Sequence, residues 1–248
     1  MGAPVPLPVD TGNPSAKPDA PEPDACELDA SELDAAEPGN AAVTGNAAVA
    51  GPGMLAAIAG LFGTDAAALT LLDADHSEVW VAASNATARL AQDLEYTLGE
   101  GPARDSTACR GVILECGLGL QTRWRHYGPA VRQIGIEAVA AVPLPWSAGY
   151  LGALTVFDPA DRLASGPLRA VARDLAVAVL NADAQPALLA QGDHRAQVHQ
   201  AAGIVSVQCG CGVAEALLLL KAYSYAHGEG IGSVAARVLR HELRLDVP

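Results

Sequence analysis

From residue 54 onward the chain switches between two hydrophobic periods. The run "MLAAIAGLFG" has helical spacing, and "AALTLLDAD" and "EVWVAAS" after it are short apolar runs of the strand type, joined by Asp73 to Ser77. The pair predicts a hairpin. The next stretch, "ATARLAQDLEYTLGEGPARDSTACRGVILECG", reads as a helical portion broken at Gly99, Gly101 and Pro102. Two more strand-like runs follow, "AVAAVPL" and "LGALTVF", preceded by Ile134 and Ile136 and separated by the turn residues Ser147 to Gly149. In "SGPLRAVARDLAVAVLNA", Leu168, Val171, Leu175 and Val179 recur at helical spacing, and Pro167 suits a first turn. This order predicts an α+β fold with a central antiparallel sheet and flanking helices.

The C-terminal part carries only the helical period. Val198, Ala201, Ala202, Val205 and Cys209 form one apolar face, which the glycines at 210 and 212 bring to a stop. "VAEALLLLKAYSYAHG" starts a second helix, with Gly212 as N-cap, Glu215 in the first turn and Gly228 as the stop after His227. A third begins near Ser233, with Val234, Ala235, Val238 and Leu239 turned inward. Three helices this short need close packing and a neighbouring surface.

Before residue 51 neither period holds. The doubled "ELDA" and "GNAAV" and the abundance of proline predict a disordered acidic tail over residues 1–50. Charge is distributed unevenly along the 248 residues: the tail carries a net −8, residues 51–192 a net −5 and residues 193–248 zero, within a total of −13. The C-terminal part is thus the least acidic, although it is no basic patch. Any phosphate contact there must come from a few placed cations. No run of 18 apolar residues is present and the N-terminus lacks the basic and apolar regions of a signal peptide, so a cytoplasmic protein is expected. Most of the five dispersed cysteines are read as free thiols in a reducing compartment.

"LGEGPARDS" followed by "RWRHYGPAVRQIGIEAVAAVPLPWSAGYLGALTVFD" resembles a GAF domain, over residues 51–185. Residues 186–248 resemble an ANTAR domain, an all-α three-helix RNA-binding module, through "QAAGI", "CGVAEAL", Tyr223 with Ala226, and "IGSVAARVL". The resemblance implies a transcription antitermination regulator that senses a signal in its first domain and binds hairpins of a leader transcript with its second. On that reading Arg195, Gly203, Lys221, Tyr223, Arg237 and Arg240 are the RNA-binding candidates, with tyrosine offering a stacking face and the cations holding phosphate. Where the family has a lysine between alanine and glycine, this chain has Ala202. A second reading therefore stands beside the first: a ligand-sensing or protein-interaction protein whose ANTAR-like segment has lost RNA and serves dimerisation.

Other chemistry finds less support. Cys209 and Cys211, with His199 or His194, lack the second ligand pair of a structural zinc site, and cysteines two apart are hard to bridge. Cys109 and Cys116 lack flanking residues of a bilin-attachment motif. "LGEGP" is not a phosphate loop, and no nucleophile with an ordered base is present. No catalytic residue, metal or cofactor is expected. The sensor's ligand, a small molecule if there is one, is not named by the sequence. Homodimerisation is expected through the apolar face of residues 168 to 179, and Pro186 interrupts the helical junction between the domains.

Overall fold

The computed structural model describes residues 53–72, 78–160, 165–180 and 194–245. The acidic tail, the turn at 73–77 and the junction around Pro186 lie outside them.

Five strands form one antiparallel sheet in the order β2-β1-β5-β4-β3. They are β1 (Ala67–Leu72), β2 (Glu78–Ala83), β3 (Ile113–Cys116), β4 (Ala138–Trp146) and β5 (Gly149–Phe157). Helix α1 (Met54–Leu61) precedes the sheet; α2 (Ala86–Leu98) and α3 (Pro102–Ala108) lie between β2 and β3, and α4 (Leu118–Arg123) and α5 (Tyr127–Gln133) between β3 and β4. Helix α6 (Ser165–Leu180) follows β5. The fold is α+β as expected, including the β1–β2 and β4–β5 pairings.

Both faces of the sheet are covered, and alternate residues of each strand serve different cores. Leu69, Val142, Leu144, Leu154 and Val156 pack with α1 and α6. Ala68, Val139, Ala141 and Phe157 pack on the other side, with Trp124, Tyr127 and Val131. Burial on both faces is why "AVAAVPL" and "LGALTVF" show no polar alternation. Gly152 lets β5 approach β1: a Cβ there would stand 1.9 Å from the carbonyl oxygen of Thr70.

Two expectations change. Residues 113–116, read as part of the helical portion, form the edge strand β3, paired with Ala138 to Ala141. The α6 face expected to meet a second copy is taken up within the chain. Leu168, Ala172, Leu175, Ala176 and Val179 are all buried in the core beneath the sheet.

The C-terminal part forms α7 (His194–Cys209), α8 (Val213–His227) and α9 (Ile231–Leu239) around a core of its own. Val198, Ala201, Ala202, Val205, Leu220, Ile231, Val234, Ala235 and Val238 are fully buried there. The breaks fall as the glycines predict, with Gly212 as the N-cap of α8 and Gly228 left-handed at its C-terminus. The third helix starts at Ile231, two residues earlier than expected.

Candidate functional site

Helix α2 has two working faces. Ala88 and Ala91 fill the sheet core, while Arg89, Asp93 and Tyr96 follow one another at i, i+4 and i+7 on a second stripe. The helical module docks on that stripe.

The docking contact centres on Arg195, which is 1% exposed. Its guanidinium donates to Asp93 Oδ1 at 3.1 Å, to Glu78 Oε2 at 3.2 Å and to the carbonyl oxygen of Gln92 at 3.2 Å. It also lies 3.9 Å from the centroid of the Tyr96 ring. Lys221 of α8 donates its Nζ to the carbonyl oxygen of Tyr96 and stands 4.0 Å from the same ring. Two cations of the helical module thus grip one tyrosine of the sheet domain. Burial pushes the Glu78 carboxyl above its ordinary range, with Arg195 working in the opposite direction. Burial likewise pulls the Lys221 ammonium below its usual value, against the pull of Glu78.

A second buried acid stands beside this contact. The Glu95 carboxyl oxygen Oε1 accepts from the backbone N–H of Arg104 at 2.8 Å and so caps α3, whose N-cap is a glycine without a side chain to do it. A Cβ on Gly101 would meet the Glu95 side chain at 2.7 Å, which is why that N-cap has none. Burial, reinforced by Glu78, raises Glu95 to about 8. Glu100 treats α5 in the same way, accepting from the backbone N–H of Tyr127 at 2.8 Å. "LGEGP" is therefore a helix junction: Gly99 ends α2 in the left-handed region, Glu100 caps α5, and Gly101 and Pro102 open α3.

The six RNA-binding candidates separate in space. Arg195 is corrected from an exposed cation to a buried one, because Glu78 and Asp93 together hold its charge out of water. Lys221 faces the sheet domain. Tyr223 stacks on His227, with ring centroids 3.9 Å apart, and is half-buried. Arg237 pairs with Glu229 at 2.7 Å and Arg240 with Glu242 at 2.8 Å. Gly203 lies on α7 with open space where a Cβ would be. Ala202 is buried inside the module, a position at which a lysine would have to reach past the helix core to show its charge. The Cys209 thiol donates to the carbonyl oxygen of Leu245 at 3.2 Å.

Glu78, Asp93 and Tyr96 were not singled out from the sequence. For Asp93 and Tyr96 the signal available was the i, i+4, i+7 stripe on α2, polar and aromatic where a helix with one buried face would carry only solvated residues; Glu78, the first residue of β2, carried no such signal. Among the described residues, no single helix is long and apolar enough to cross a membrane. Comparison with family models, with curated proteins and with solved structures found no match to this chain.

Proposed function

We propose that this chain is a signal-responsive, RNA-binding transcription regulator, in which a GAF-like domain controls an ANTAR-like helical module. The observation that carries the reading is the docking contact. A three-helix unit with its own core is fastened to the sheet domain by Arg195 and Lys221, two cations that the resemblance assigns to RNA. A module held this way has an off state built into its attachment. Releasing it would free both cations and the α7–α8 face, so a signal that weakens the contact raises RNA affinity. Tyr225, 55% exposed, and Arg240 on the outer side of the module are open to RNA before any release.

The engagement of Arg195, Lys221, Arg237 and Arg240 in ion pairs or hydrogen bonds within the chain favours a second reading, a helical module that serves protein contacts only. The two diverge in one experiment. The full chain, its Arg237→Ala/Arg240→Ala variant and its Glu78→Gln/Asp93→Asn variant are titrated with a two-hairpin RNA and a scrambled control. Regulated RNA binding requires preference for the hairpins, loss in the arginine variant and gain in the variant with the weakened docking contact. Equal, weak binding of both RNAs by all three proteins leaves the protein-contact reading.

A further inference from the structure

A cavity of about 340 Å³ opens beside the docking contact. Its walls include Thr70, Glu78, Arg104, Thr107, Arg110 and Tyr150. The volume falls at the small end of the range for small-molecule sites, roughly 300–1,000 Å³. Its chemistry is two-sided. Arg104 and Arg110 are exposed, and among the described residues neither guanidinium makes a hydrogen bond or a close salt bridge, while the Arg104 charge stands near enough to Glu78 to favour its ionised form. Glu78 is buried and already holds Arg195 on its far side. Thr70 and Thr107, both buried, also line it, with their hydroxyls donating to Gln92 Oε1 and to the carbonyl oxygens of Ala103 and Arg104, so that only their lone pairs remain for a ligand. A purely anionic ligand would meet Glu78, and a purely cationic one would meet two arginines; a molecule with one charge of each sign satisfies both.

We propose that this cavity binds a free amino acid, its carboxylate on Arg104 and Arg110 and its ammonium on Glu78, and that the ligand competes with Arg195 for the Glu78 carboxylate. The proposal deepens the sensor reading above and rests on it, since the ligand is the signal and Glu78 is the atom-level link from cavity to helical module. Because the ligand ammonium and the Arg195 guanidinium are like charges drawn to one carboxylate, their repulsion makes ligand binding and docking weaken each other by the same factor.

Calorimetric titration of the full chain with each of the twenty common L-amino acids, and with butyrate and butylamine as single-charge controls, tests it without RNA. At least one amino acid is expected to bind at 1:1 stoichiometry, with neither control binding within tenfold of it. Arg104→Ala/Arg110→Ala, two exposed positions whose change leaves the fold intact, should weaken it tenfold or more. Glu78→Gln should also weaken it, while Arg195→Met, which frees Glu78, should tighten it several-fold. Circular dichroism confirms that each variant is folded. Should Arg195→Met fail to fold, the arginine pair and Glu78→Gln still decide. Absence of amino-acid binding at millimolar concentration, butyrate binding as tightly, or no effect of the arginine variant overturns the site; unchanged affinity in a folded Arg195→Met overturns the competition. The RNA titration fails or succeeds separately, because no nucleic acid enters this one.

Discussion

The Arg195 guanidinium lies over the Tyr96 ring, its carbon 3.9 Å from the centroid, and the Lys221 ammonium approaches the same ring to 4.0 Å. One aromatic side chain thereby joins two helices of the C-terminal module to α2 of the sheet domain. The cationic contacts to its face are each worth about 0.5–2 kcal/mol, the larger figure where water is excluded. The carboxylates of Glu78 and Asp93 complete the arrangement, and its consequences are open to measurement.

Removing the guanidinium leaves two buried acids facing each other. Arg195→Ala is expected to cost about 3–5 kcal/mol of stability, the range for breaking one partner of a buried ion pair. In the Glu78→Gln/Asp93→Asn background the same change should cost much less, since no uncompensated charge remains. Chemical denaturation of the four proteins in this cycle measures the coupling. Equal costs in both backgrounds would show that Arg195 acts by packing alone.

Glu95 gives the chain a pH dependence of definite sign. Its folded value of about 8 stands above the ordinary carboxyl value of 4.5, so the folded state binds the proton more tightly than the unfolded chain. The group's contribution to stability is present in full below about pH 4.5 and is lost as the pH rises through 8. Glu95→Gln keeps a carbonyl acceptor for the Arg104 N–H and removes the ionisation. Denaturation midpoints measured from pH 5 to 9 should therefore fall less steeply in the variant than in the parent.

Gly152 is a steric requirement of the sheet. In Gly152→Ala the new methyl would stand 1.9 Å from the Thr70 carbonyl oxygen, so β5 and β1 must separate where Leu71 pairs with residue 152. A loss of about 1–3 kcal/mol or more is expected, the cost of overpacking. Thermal unfolding reads it directly. The change also displaces Thr70 at the proposed amino-acid cavity.

RNA affinity should carry a salt signature. If Arg237 and Arg240 reach phosphates, replacing both with alanine lowers the slope of log affinity against log salt by about 1.4–1.8, at roughly 0.7–0.9 per phosphate contact. The alternative, an affinity loss with no change in slope, would mean that the arginines act by shaping the module.

The amino-acid sequence by itself determined most of the elements, because their signals are local. Helical spacing located α1, α2, α6 and the three C-terminal helices; apolar runs and turn residues located both hairpins; Gly212 and Gly228 marked the ends of α8. The four residues of β3 escaped it, since so short an edge strand shows no period of its own and gains its identity from pairing with β4. Periodicity also found the apolar face of α6, yet a period says only that a face is covered. Tertiary structure decided that the cover is this chain's sheet. The same limit governs the site. Arginine at 195 reads as surface charge in sequence, and its burial depends on Asp93 and Glu78, 102 and 117 residues earlier in the chain. No local pattern encodes such a partnership, because the energy that decides it, desolvation of one charge against attraction to two others, exists only once the helices have packed.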